Sequence, residues 1–370
     1  MISVKLRNII FKVHLWAGLS AGLLIALVGI SGSALVFRAD IERFETRQWQ
    51  TVPVSSENRL PLDILIAQAI TATPSKVLSR VLLPSQAEGA LQVIVQKPRA
   101  RSLKDSQLEV VFVDPYRGSI LGVRDYRSGP IGALQDFHFA FLAGDLGLKI
   151  NGVVALILLA LALTGPFLWW PGVKHWRSGF KVRALPARLK WRDLHALSGV
   201  IGAVVLIIIS LTGVYYAYRS TAAAVVTLAS GNAALALPTV VKPSRTELAL
   251  AQPVGLEQLW VAARRALPLA ELDELRPPRG ASSPVSISFR DAGDFVFGRN
   301  RLYVNPYDAT VLRIDRFAEQ GFAARLLGNM GPWHFGIFGG RLTQWLWFFA
   351  GLLPIFLFGS GFWLWWRNRR

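Results

Sequence analysis

Four stretches of the chain carry no Lys, Arg, Asp or Glu: Val13–Phe37, Ile150–Val173, Leu194–Tyr218 and Leu342–Trp366, of 25, 24, 25 and 25 residues. A bilayer core takes about 20 apolar helical residues, so each stretch is long enough to cross. A cleaved signal peptide is the alternative for the first. Its apolar run exceeds the roughly 7–15 residues of such a segment, and a retained helix is expected. Between the spans the pattern changes. Leu62–Ala72 and Leu256–Ala266 have the spacing of amphipathic helices, while Leu91–Val95 and Val285–Phe289 alternate like half-buried strands. Asp114-Pro115 and Asn305-Pro306 stand where turns would join two strands. Ser220–Pro253 is Ala-rich and broken by Gly, Asn and Pro, which suits a linker better than a fifth span.

The pattern repeats. His14, Gly18, Ser31, Gly32, Phe37 and Arg38 match His195, Gly199, Thr212, Gly213, Tyr218 and Arg219 at a constant offset of 181. His138-Phe139, Gly144, Gly165 and Trp169-Trp170 match His334-Phe335, Gly340, Gly361 and Trp365-Trp366 at an offset of 196. Val113–Tyr116 and Val304–Tyr307 correspond as well. Such self-similarity marks a duplicated unit. Each half reads as helix, helix-and-strand module, helix.

Composition agrees with a membrane protein. Hydrophobic residues make up 52% and charged residues 17%, against about a quarter charged in ordinary soluble domains. The net charge of +18 raises nucleic acid as a partner, but its distribution answers that. Met1–Lys12, Gly172–Asp193 and the tail after Trp366 hold 13 basic residues against one acid, Asp193. Short basic segments stay in the cytoplasm. Both termini and the middle loop are therefore expected inside, and the two long segments outside. No nucleic-acid partner is expected. Cys is absent, which excludes disulfides, Fe–S clusters and covalently attached c-type haem.

Of five histidines, four fall in register. His14 and His195 open spans one and three at the inner edge; His138 and His334 precede spans two and four at the outer edge. A single histidine there could simply cap a helix. Two pairs, each at one depth, point to function, because ionisable groups at membrane depth are costly. Two neutral imidazoles facing each other across a helix bundle suit a bis-histidine haem. Gly18 and Gly199 lie one turn from their histidines and Gly32 and Gly213 about five turns on, so small residues on the ligand face would admit a flat macrocycle. Helix–helix packing is the plainer role for these glycines. Zinc would need three or four convergent ligands, and the two pairs are about 30 Å apart along the helices. Arg38 and Arg219, at the outer ends of spans one and three, are interfacial anchors or partners for haem propionates or an anionic substrate. The loops Tyr126–Asp136 and Phe322–Trp333 lead into the outer histidines and are expected to line that site; their Arg127 and Arg325 could steer an anionic chelate or be plain solvated surface. His175 has no counterpart. Met330 aligns with Leu134, which favours packing.

The stretches His14-Leu15-Trp16-Ala17-Gly18 with Gly29–Gly32, Trp191–His195 with Leu211–Gly213, and the two His-Phe-x-x-x-x-Gly runs resemble the PepSY-associated transmembrane family, often called iron-regulated membrane proteins. The resemblance extends over nearly the whole chain. It implies a membrane α+β fold: a four-transmembrane-helix bundle made of two parallel repeats, with two periplasmic PepSY-like helix-and-strand modules. It implies two b-type haems on His14, His195, His138 and His334, and an activity like that of inner-membrane ferric-siderophore reductases. The chain stops four residues after Trp366, so the flavin domain fused to some members is not expected. The electron donor is left open between a cytoplasmic partner and a quinol. A cupric complex or a quinone as substrate, or a non-enzymatic binding role, are the rival functions.

The organisation expected is 1–37 for the first segment and span, 38–137 for module one, 138–173 for the outer histidine and span two, and 174–193 for the basic loop. Residues 194–219 form span three, 220–333 the linker and module two, and 334–370 the last histidine, span four and tail. The location expected is a bacterial inner membrane.

Overall fold

The structure is a computed structural model describing residues 4–56, 58–98, 107–230, 240, 253–280, 282–294 and 300–369. Much of the 220–253 linker lies outside these residues; its start, Arg219–Ser230, is helical.

Two compact units are present. One comprises 1–39, 133–224 and 330–370 and contains the four long apolar helices. These are α1 (Val4–Leu35), α6 (Gly144–Trp169), α7 (Ala187–Ala217) and α11 (Gly340–Arg367). Each has an 18-residue window with mean hydropathy of 1.7 to 2.5, of which only 22 to 28% is buried. The remaining apolar surface suits lipid, and the chain is a multi-pass membrane protein. The helices outrun the charge-free windows, because helical hydrogen bonding continues past the apolar stretch into water. α6 stops at Trp169, before Pro171 and a left-handed Gly172.

Packing runs around a ring: α1 with α6, α6 with α7, α7 with α11, and α11 with α1. The diagonal pairs α1–α7 and α6–α11 are not among the main contacts. α1 and α11 approach closely where Gly29 meets the Gly351 carbonyl, a place with no room for a Cβ. Nearby, Ser33 Oγ donates to the Phe348 carbonyl at 2.8 Å. Small residues and interhelical hydroxyls hold helices together where no hydrophobic effect acts between them. Short helices α5 (Gly129–Ala140) and α10 (Phe322–Phe335) lead into α6 and α11. These cover the stretches Tyr126–Asp136 and Phe322–Trp333, largely as helix rather than loop.

The second unit, 40–132 and 225–329, is α+β. Helices α2 (Arg38–Glu45), which begins in the first unit, and α3 (Arg47–Gln50) precede α4 (Leu62–Ala72), followed by β1 (Val77–Leu82), β2 (Leu91–Gln96), β3 (Glu109–Val113) and β4 (Ile120–Asp125). After α8 (Arg219–Ser230), α9 (Leu256–Ala266) is followed by β5 (Glu271–Arg276), β6 (Val285–Arg290), β7 (Asn300–Val304) and β8 (Val311–Asp315). All eight strands form one antiparallel sheet, ordered β4-β3-β2-β1-β5-β6-β7-β8. Its two four-stranded parts meet at β1 and β5 through Val81↔Leu275 and Leu82↔Glu274. β1 and β5 carry bulges at Leu78/Arg80 and Leu272/Glu274. The Asp114 and Asn305 side chains accept from the Tyr116 and Tyr307 N–H groups, closing turns ahead of β4 and β8.

The apolar faces of α4 and α9 pack on the sheet around Leu65, Leu91, Val111, Trp260, Ile287 and Phe289. Their first turns cap one another. Glu257 Oε2 accepts from the Leu62 N–H at 2.7 Å. Asp63 accepts from the Leu256 and Glu257 N–H groups at 2.7 and 3.1 Å. Each carboxylate thus satisfies the free N–H groups of the other helix and meets its positive end. Arg59 holds Glu257 through both oxygens.

Candidate functional site

Each of the four registered histidines is held in the same way. His14 Nδ1 lies 2.7 Å from Thr164 Oγ1, His138 Nδ1 3.1 Å from Ser31 Oγ, His195 Nδ1 2.9 Å from Ser360 Oγ, and His334 Nδ1 2.8 Å from Thr212 Oγ1. All four hydroxyls already donate into their own helix: Thr164 to Ala160 at 2.7 Å, Ser31 to Val28 at 2.9 Å, Ser360 to Phe356 and Thr212 to Ile208 at 2.7 Å. A hydroxyl has one proton, so each is left as an acceptor and the imidazole must donate. A second contact agrees for His138, whose Nδ1 is 3.0 Å from the Val28 carbonyl, a group that only accepts. The proton therefore sits on Nδ1, and the Nε2 lone pair is free.

Among the described residues no hydrogen bond is made by any of these Nε2 atoms, and none is sealed against neighbouring protein. Four basic nitrogens without partners among apolar helices call for a ligand. The residue after each hydroxyl is glycine. A Cβ at Gly32 would stand 2.7 Å from His138 Cε1, and one at Gly361 3.3 Å from His195 Cε1. At Gly165 and Gly213 the distances to His14 and His334 are both 3.8 Å. A Ser/Thr-Gly pair on one helix thus seats a histidine from the neighbouring helix, four times over.

His138 and His334 face each other with ring centroids 6.2 Å apart and planes at 49°. A metal bound by both nitrogens needs about 2 Å per bond and about 1 Å from nitrogen to ring centre on each side, in all about 6 Å. The ring-centre separation of the pair matches that span. His14 and His195, on the diagonal helices α1 and α7, are near enough to interact electrostatically. Gly18 and Gly199 meet nothing nearer than leucine methyls at 4.0 and 3.7 Å, which leaves space beside the ligands. Placement among packed helices pushes His138 and His334 below the ordinary histidine range, His334 to about 3 with His138 adding to the effect. Both are neutral near pH 7, as iron ligation requires. Among the described residues no three His, Asp or Glu side chains converge, so a zinc-type cage is not formed. The donor set of paired neutral imidazoles fits haem.

The other sequence candidates are dispersed. Arg38 begins α2, half-buried. Arg219 begins α8, exposed, with its guanidinium 6.0 Å from the Tyr215 ring centre. His175 is exposed in a 3-10 turn over Val173–Phe180, away from both pairs. Arg127 and Arg325 lie in the second unit. Thr164 and Ser360 carry no mark in the sequence except their common offset of 196, the signal that would have found them.

None of the curated proteins matches the chain. The profile of the PepSY-associated TM region matches residues 11–368, nearly the full length and all four histidines, and the chain belongs to that family.

Proposed function

We propose that this protein carries electrons across a bacterial inner membrane, from the cytoplasmic side to the periplasm, to reduce ferric siderophore. The observation that supports this reading best is the set of four histidines with Nδ1 bonded to Ser or Thr and Nε2 without a partner, of which His138 and His334 lie ring to ring. His14 with His195, and His138 with His334, would each hold one b-type haem. Bound there, haem would supply one-electron redox chemistry at two depths of the bilayer. The chain's own residues do the rest. Thr164, Ser360, Ser31 and Thr212 fix the tautomer and ring direction and tune ligand basicity. Gly165, Gly361, Gly32 and Gly213 let the rings sit against the helix backbone. The apolar helices exclude water.

The basic residues of 1–12, 172–193 and 367–370 support a cytoplasmic place for the His14–His195 end. Within this cluster Arg183 grips the single acid, Asp193, at 2.7 and 2.6 Å. By the same argument the α+β unit and the His138–His334 end face the periplasm, where a polar ferric chelate can reach iron-reducing equivalents without entering lipid. The duplicated offsets support descent of the bundle and sheet from two parallel repeats, with the sheet as paired PepSY-like modules.

The test is optical and kinetic. Purified protein should show a reduced-minus-oxidised spectrum of b-type haem at two per chain, and each single His→Ala variant should lose about one. Pre-reduced protein should reoxidise with a suitable ferric siderophore. His334→Ala should slow this far more than His14→Ala. Full haem content in every variant would sink the ligand assignment. The reverse kinetic order would sink the direction.

A further inference from the structure

At the end of the bundle that carries His138 and His334, a crevice of about 790 Å³ opens between the start of α6 and the junction of α7 with α8. Its lining includes Asp145, Leu148, Lys149, Tyr216, Tyr218 and Arg219. Lys149 and Arg219 are exposed, and among the described residues neither has a carboxylate partner, so the mouth carries a net positive charge despite Asp145. Tyr218 Oη donates to the Lys149 carbonyl at 3.0 Å and ties the two sides of the crevice together. Tyr216 lies with its ring centre 5.2 Å from that of His334 and 5.9 Å from that of Phe335. One residue is thus shared between the crevice wall and the surroundings of the histidine pair.

We infer that this crevice is a docking site for a small metal chelate of net negative charge, held by Lys149 and Arg219 beside Tyr216. The charge supplies recognition: clefts lined by one sign concentrate ligands of the opposite sign. Tyr216 makes the position useful, since a chelate seated there is one aromatic ring from an iron-ligand candidate. A lipid phosphate offers the same negative charge, but the shared Tyr216 wall favours the chelate as the occupant. The inference takes its purpose from the reading above, while the binding itself stands apart from it.

Redox-inert gallium separates the two. The full-length protein is titrated with trianionic gallium(III) tris(catecholate) and with neutral gallium(III) tris(acetohydroxamate), by calorimetry, while the haem spectrum of the same samples reports independently on the reading above. The anionic complex should bind, more weakly at high salt, and Lys149→Glu should weaken it by about tenfold. The neutral complex should be indifferent to the substitution. On unmutated protein, the anionic complex should protect Lys149 from an amine-acylating reagent and leave Lys174 unprotected. Equal binding of the anionic complex to the wild type and to Lys149→Glu would overturn the proposal. So would Lys149-dependent binding of phosphatidylglycerol with none of the chelate.

Discussion

Replacing Thr212 with valine isolates one hydroxyl from everything else. The side chain keeps its shape and loses the acceptor 2.8 Å from His334 Nδ1. The loss is therefore that of one net hydrogen bond, about 1 kcal/mol. That loss is felt most by the ferric state, which draws most on the basicity the Nδ1 acceptor lends the ring. A preference of about 1 kcal/mol is close to a factor of five, or about 40 mV for a one-electron couple. The potential of the haem proposed at His138 and His334 should rise by that amount. The potential of the other haem should stay put, because Thr212 lies with the His334 end and Thr164 and Ser360 serve the His14 end. Spectroelectrochemical titration resolves the two steps. Thr164→Val supplies the mirror experiment, moving the other step. If Thr212→Val moved neither potential, or moved both equally, the tautomer argument would be wrong.

Gly32→Val should displace His138, since even the Cβ would sit 2.7 Å from its ring; haem should fall to about one per chain while helix content is unchanged. Reporter fusions at Ser178 and Gln107 should give opposite results, cytoplasmic and periplasmic, and matching results would refute the topology. Asp63→Ala and Glu257→Ala should each lower the stability of the α+β unit by about 1 kcal/mol, read as a reduced thermal midpoint. The double variant should lose less than the sum, because the two caps meet at Glu257, whose N–H bonds Asp63 and whose carboxylate bonds the Leu62 N–H.

The four spans are legible because a bilayer forbids charge along a whole helix, a signal carried by local sequence alone. Their ends are less so: α7 begins at Ala187, in the basic stretch, where nothing in the hydropathy marks a start. Gly129, Pro130, Gly132, Gly331 and Pro332 suggest loops, yet these residues lie in α5 and α10. A proline near a helix start is tolerated, and tertiary packing overrides propensity elsewhere. The four histidines stand out by register; their hydroxyl partners share the same offsets of 181 and 196, but nothing local ties any of them to a histidine. Each bond joins residues more than a hundred positions apart on different helices, and serine in an apolar helix has many other uses. Gly32 and Gly213 are expected on the ligand face as room for a macrocycle; in the structure both lie beside a histidine ring, and at Gly32 a Cβ would stand 2.7 Å from it. The junction of β1 with β5 rests on two residue pairs between distant strands, too short a register to read from alternation.

That junction and the crossed caps set a clock on biosynthesis. Asp63 and Glu257 are 194 residues apart, with two membrane spans between them. At about 5–20 residues per second, a ribosome needs roughly 10–40 s to deliver the second after the first. Throughout that interval α4 has no cap, and β1, paired with β2 on one side only, presents its other edge at Val81 and Leu82 to any passing partner. The first half of the sheet is thus a nascent species that must be shielded while spans two and three are inserted. A ribosome stalled shortly after span three would strand it in that condition, and a chain truncated there should be recovered with export chaperones or in aggregates, where the full-length chain is not.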